Sequence, residues 1–125
     1  MADEGDVYLA FNIYRWAGTS PAEFRKHYID VHAPLVRRVP GVVWYEAFLN
    51  KDVAAEWPIT AAPSPDAVVV LKFASEQAKE QGMQSQAWSE AAADSAGFIS
   101  HFDVFRPERL TWVPDASPRV PFGES

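Results

Sequence analysis

The chain has 125 residues, 48% of them hydrophobic and 22% charged, enough apolar material for one packed domain and too much for a disordered chain. Its net charge is −6 and its pI about 4.9, which argues against a nucleic-acid partner, because a phosphate backbone recruits a basic patch and the short Arg37-Arg38 cluster is too small to supply one. The absence of cysteine excludes disulfides, thiolate chemistry and Cys-based zinc sites, and an acidic start (MADEGD) with no apolar run of ~18 residues leads us to expect a cytoplasmic protein with no membrane span.

Val7 to Trp16 (VYLAFNIYRW) is rich in β-branched and aromatic residues and predicts a first strand. Val7, Leu9, Phe11 and Ile13 share one face. Tyr8, Ala10, Asn12 and Tyr14 share the other, which mixes aromatic and polar groups, as the wall of a partly polar cavity would. Gly18-Thr19-Ser20-Pro21 starts a helix: Ser20 caps it, Pro21 takes the first position, and Glu23 completes a capping box. Phe24, Tyr28, Val31 and Leu35 repeat as one apolar stripe. Pro34 falls inside that pattern and should kink or loosen the turns near Asp30 to Pro34. Pro40-Gly41 ends the helix.

Val42 to Leu49 (VVWYEAFL) predicts a second strand. Residues 50–66 hold three of the ten prolines without periodicity and read as a long loop. Ala67 to Phe73 (AVVVLKF) is a nearly uniform apolar strand and therefore central. Ser75 to Ala93 reads as helix, divided at Gly82. Phe98 to Phe105 (FISHFDVF) alternates as a fourth strand, and residues 107–125, with four prolines, form an irregular tail. The chain is thus one domain with its core over about residues 6–106.

The order β-α-β-β-α-β predicts a ferredoxin-like α+β fold: a four-stranded antiparallel sheet with two helices on one face. The opposite face, with Tyr8, Tyr14 and Val43 or Trp44, is left uncovered. An apolar sheet face of that size associates, so two such sheets packed face to face make a dimeric α+β barrel, a homodimer with a cavity between sheet and helices in each subunit.

The segment RWAGTSPAEFRKHYIDVHAPLVRRVPGVVWY, Arg15 to Tyr45, resembles the EthD family. The resemblance rests on Arg15 at the end of the first strand, Ser20 and Glu23-Phe24 at the helix start, Tyr28 with His32-Ala33-Pro34-Leu35, and Pro40-Gly41. It covers about a quarter of the chain; the remaining strands agree in order and spacing. It implies a homodimer of ferredoxin-like subunits with a ligand cleft. Relatives in the wider superfamily include muconolactone isomerases, polyketide cyclases and dehydratases, and haem-degrading monooxygenases, so the resemblance does not fix an activity.

His27 and His32 lie five residues apart, about 140° around a regular helix. They therefore do not share a face as an i, i+4 metal pair would, and no metal site is expected. His27 reads as an ordinary, partly exposed helix residue. His32, loosened by Pro34, reads two ways: a group bracing the distorted helix end, or a general acid or base turned into the cleft. His101 and Asp103 are two apart on the fourth strand and so share a face, with Ile99 and Phe105 beside them. They form either an oriented proton-transfer pair or a rim pair at a dimer interface. Neither a Gly-x-Ser-x-Gly elbow nor a Gly-rich phosphate loop occurs. Tyr14, Trp44, Tyr45 and Phe105 line either an apolar pocket or a core or interface. Strand parity sends Trp44 and Tyr45 to opposite faces, so one of the two lines the cleft. Arg15 binds a substrate oxygen or forms a surface salt bridge, for instance with Glu23.

Three functions follow as expectations. The first is a cofactor-independent enzyme of isomerase, cyclase or dehydratase type, acting on a small hydrophobic carbonyl or lactone-like compound. Its proton transfer would use His32 with Tyr45 or His101, and Arg15, Tyr14, Trp44, Asp103 and Phe105 would bind the substrate. The second is a non-catalytic small-ligand-binding accessory protein of a degradation pathway. The third is a haem-binding or haem-degrading barrel with His32 or His101 as axial ligand.

Overall fold

The Ser20 cap forms as its spacing requires. Ser20 Oγ accepts from the Glu23 backbone N–H at 3.0 Å, and Glu23 Oε1 accepts from the Ser20 N–H at 2.9 Å. Pro21 at the first position supplies a preset φ where no amide donor is needed. This box starts α1 (Pro21–His27). The computed structural model describes residues 7–51 and 64–114. Most of the 50–66 loop and most of the 107–125 tail lie outside the described residues.

Along the chain, β1 (Val7–Arg15) precedes α1, which runs into a π turn (Tyr28–His32) and then α2 (Ala33–Val36). There follow β2 (Val42–Leu49), β3 (Ala67–Phe73), α3 (Glu76–Met83), α4 (Gln86–Phe98) and β4 (Ile99–Phe105). The strands form one antiparallel sheet in the order β2-β3-β1-β4. The apolar β3 is central, as its composition predicts, because a strand flanked on both edges exposes no ladder groups. The second helical region reaches Phe98, five residues beyond the expected end at Ala93. Its Ala-Ala-Ala-Asp-Ser-Ala run contains no breaker, and Gly97 ends no turn.

The helices cover one sheet face. Leu9 and Ile13 of β1 and Val69, Leu71 and Phe73 of β3 bury themselves against Phe24, Tyr28, Val36, Ala91 and Phe98. Gly82 matters for close approach more than for breaking a helix: a Cβ there would stand 2.6 Å from the Pro40 carbonyl oxygen. α3 is thereby pressed against the turn whose Gly41 has φ +87°, a conformation glycine adopts without strain.

Two expectations about faces are corrected. Val31, placed in the inward stripe, is 41% exposed, while His32 beside it is 6% exposed. The cause is the π turn. The Ala33 N–H bonds the Tyr28 carbonyl five residues back, which inserts one residue into the helical count and rotates everything beyond it. Pro34 follows immediately and has no N–H to continue an α-helical ladder. The second correction concerns the outer sheet face, which is not fully open. Pro107 and Arg109 return across it and line a second, open cavity with Tyr8, Trp44 and Val70, and Tyr8 and Ala10 are buried. Trp44, Phe48 and Phe105 on that face remain more than half exposed.

Candidate active site

A cavity of about 210 Å³ opens between the inner sheet face and the helices. Phe11, Ile13, Val69 and Leu71 form its sheet wall, with Val36, Trp88 and Ala91 opposite. Its polar side-chain groups come from Tyr28, His32, Tyr45 and Ser95, with the indole N–H of Trp88. The volume falls below the ~300 Å³ at which sites for drug-sized ligands begin. An apolar enclosure with few polar groups suits a small, largely hydrophobic molecule held in one orientation.

The π turn decides what reaches this cavity. Residues i and i+5 become neighbours in such a turn, so His27 and His32, expected on different faces, converge. Both meet Asp94 of α4. His32 Nδ1 is 2.9 Å from Oδ2, and His27 Nε2 is 2.9 Å and 3.0 Å from Oδ1 and Oδ2. The His32 side chain is 8% exposed, Asp94 17% and His27 35%. Phe98 packs on both imidazoles, with ring centroids 4.4 Å from His27 and 5.0 Å from His32.

Burial pushes the His32 imidazole below its ordinary pKa, because a cation there would lose its hydration. Asp94 opposes this through its hydrogen bond and charge, and His27 adds to the lowering. The neutral ring donates Nδ1–H to the carboxylate, which leaves Nε2 with its lone pair. A neutral, oriented imidazole on an apolar cavity is a competent proton acceptor at neutral pH.

Tyr28 and Tyr45 supply the complementary group. Their hydroxyl oxygens are 2.6 Å apart. Burial raises both phenols above the ordinary range, Tyr28 most strongly, with Tyr45 beside it adding to the rise. Both therefore stay protonated. One O–H is spent on the other hydroxyl, and the second O–H of the pair remains to donate to a carbonyl or enolate oxygen.

The remaining sequence candidates lie elsewhere. Tyr45 pairs with Leu71 and faces the cavity, whereas Trp44 pairs with Lys72 and faces outward, with its indole N–H on Glu46 at 2.9 Å. His101, Asp103 and Phe105 pair with Tyr14, Asn12 and Ala10, all on the outer face. His101 stacks on Tyr14 with ring centroids 4.3 Å apart, so the sheet separates both from His32. Ile99, expected beside His101, lines the cavity instead, because a bulge at Tyr14/Arg15 shifts the register of β4 there. The Arg15 guanidinium is engaged: its Nη1 is 2.5 Å from Asp66 Oδ1, and its Nε donates to the Thr19 carbonyl at 2.7 Å. Its partner is Asp66, with Glu23 used in the cap.

Sequence reasoning missed Asp94, Tyr28 as a polar group, Ser95, Trp88 and Phe102. The trace available for Asp94 is local: it is the one carboxylate in Ala91 to Phe98 (AAADSAGF), a run otherwise made of small and aromatic residues. Phe102 pairs with Ile13 and so alternates inward, where Asp103 does not. Among the described residues no group of three His, Cys, Asp or Glu side chains is placed to hold a metal ion, and no helix is long and apolar enough to cross a membrane.

The model of the EthD domain matches residues 17–101. No curated protein matches the chain. Among solved structures, an EthD family protein of Bacillus halodurans superposes with a TM-score of 0.65 at 17% identity, over 83% of this chain and 99% of that one. A dimeric ferredoxin-like protein of unknown function from Thermobifida fusca gives 0.63 at 13%, over 82% and 90%. SnoaB, a cofactor-independent oxygenase of Streptomyces nogalater, gives 0.59 at 18%, over 90% and 99%. These likenesses establish the ferredoxin-like fold.

Proposed function

This chain belongs to the EthD family, and on that premise we propose that it is a cofactor-independent enzyme that moves a proton on a small hydrophobic carbonyl or lactone-like compound. The observation that carries the reading is His32 itself: a buried imidazole bonded through Nδ1 to Asp94 at 2.9 Å, on the wall of an apolar cavity. Its Nε2 takes a proton from carbon next to the substrate carbonyl. The free O–H of the Tyr28–Tyr45 pair donates to the carbonyl oxygen as negative charge develops there, which is the geometry by which a hydrogen-bond donor lowers an enolisation barrier. The proton then returns from Nε2 to a different carbon, giving isomerisation, or to a departing hydroxide, giving dehydration. Exclusion of water by the apolar walls strengthens both interactions.

A fold relative described as a cofactor-independent oxygenase supports the premise that such a subunit does chemistry with its own side chains. Fold relatives described as dimeric, together with exposed Trp44, Phe48 and Phe105, support a homodimer through the outer sheet face. Tyr14, His101 and Asp103 then belong to that contact rather than to the chemistry. A ligand-binding role without turnover is the second reading, favoured by the largely apolar lining of the cavity. The haem reading fares worse, since a cavity of about 210 Å³ is too small for a porphyrin.

The test is deuterium exchange. Small enolisable ketones and lactones are incubated with the protein in D2O, and loss of the α-proton resonance is followed by NMR. Wild type should accelerate exchange of at least one compound, and His32→Gln should lose about 10²-fold or more of that rate. Exchange no faster than in buffer for compounds shown to bind would overturn the enzyme reading in favour of the binder.

A further inference from the structure

Asp94 offers one negative charge to two imidazoles. His27 spans both carboxylate oxygens and His32 bonds one of them, all within 3.0 Å. The first proton taken up by this cluster turns a carboxylate and a neutral ring into an ion pair. A second proton meets a carboxylate already neutralised and a like charge nearby. A charge on either ring is therefore felt by the other through the carboxylate they share. Even when neutral, His27 occupies the carboxylate that would otherwise stabilise a His32 cation alone.

We infer that His27 is a positioning residue for the pocket base: by engaging the carboxylate that His32 uses, it limits the charge reaching His32 and keeps that ring unprotonated, hence basic, at lower pH than Asp94 alone would. The functional value of this rests on His32 being the base; the coupling itself does not. The other groups around the cluster are consistent with it. Tyr28, backed by Tyr45 of β2, faces His32 as a neutral phenol. Phe98 of α4 faces both rings and does not titrate. Lys26 and Asp30, on the same helical segment, are paired with each other at 2.8 Å on its exposed side. Asp94 is thus the anion that the two rings share, and His27 is the more exposed of them.

The experiment is an NMR titration of 15N-histidine protein, in wild type, His27→Gln, His27→Ala and Asp94→Asn. Gln keeps a hydrogen bond to Asp94 but cannot take a proton, so a purely structural His27 would be fully rescued by it. In wild type the His32 nitrogens should shift in two steps. In His27→Gln they should shift in one, with proton affinity about tenfold higher than in the second wild-type step. In Asp94→Asn the affinity should fall. His27→Ala carries the same expectation if the Gln variant proves misfolded. A His32 curve in a folded His27 variant that superimposes on the wild-type curve overturns the inference. Absence of turnover in every protein would refute the enzyme reading and leave this result standing.

Discussion

The hydroxyl oxygens of Tyr28 and Tyr45 lie 2.6 Å apart and tie the π turn to the second strand. Tyr28 is buried and Tyr45 partly so, and the Tyr28 hydroxyl cannot exchange its partner for solvent without opening the site. Tyr45→Phe leaves the Tyr28 hydroxyl buried and unpaired and should cost about 1–2 kcal/mol of stability. Replacing both tyrosines by Phe should cost less than the sum of the single changes, because the second substitution removes a group already orphaned. Urea denaturation of the four proteins reads this cycle, and additive costs would mean that the two hydroxyls are not coupled.

The His32 shift makes stability depend on pH. In the native state burial holds the imidazole below its ordinary value, while in the unfolded chain it titrates near ~6.5. As pH falls through that value the unfolded chain takes up a proton that the native chain refuses. Protons therefore favour unfolding, and the stabilisation present above pH ~6.5 is lost below it until the native ring also protonates. The difference in unfolding free energy between wild type and His32→Gln should shrink as pH is lowered from about 7 to 5. A difference constant over that range would contradict a neutral buried ring.

Gly82→Ala should destabilise the fold, although alanine is the better helix former by about 1 kcal/mol. The added methyl would stand 2.6 Å from the Pro40 carbonyl oxygen, a backbone atom that cannot swing aside. Overpacking of this kind costs about 1–3 kcal/mol. A thermal midpoint equal to or above that of wild type would show that α3 can shift away from the Pro40-Gly41 turn.

Charges placed on the outer sheet face test the homodimer. Trp44→Glu with Phe105→Glu puts two carboxylates where exposed aromatics now stand, and burying them unpaired against a second copy would cost several kcal/mol. Light scattering should find a dimer for wild type and a monomer for the double variant. A monomeric wild type would remove the proposal that this face is an interface.

Much of the architecture was legible in local patterns. The capping box at Ser20 needs only Ser, Pro and Glu at set positions. Alternation in Val42 to Leu49 and the uniform Ala67 to Phe73 need only a period of two. The opposite orientation of Trp44 and Tyr45 followed from parity, and the site accordingly holds Tyr45. What parity could not see was the β4 bulge, which moves Ile99 to the inner face, or the π turn, which replaces Val31 by His32. Each inserts one residue into a regular count; Pro34 stands beside the π turn, and no proline stands beside the bulge.

The sequence by itself determined which segments become strands and helices and which sheet face turns toward the helices, because those depend on interactions between residues a few positions apart. Only the tertiary structure decided the chemistry. Asp94 lies 62 residues from His32 and 67 from His27, and Arg15 finds Asp66 across 51. Nothing in the sequence near either histidine selects a carboxylate on α4. That choice is made when the sheet and helices pack: the π turn rotates His32 inward, α4 lies against it, and a buried ring nitrogen must find a partner or bear the cost of having none.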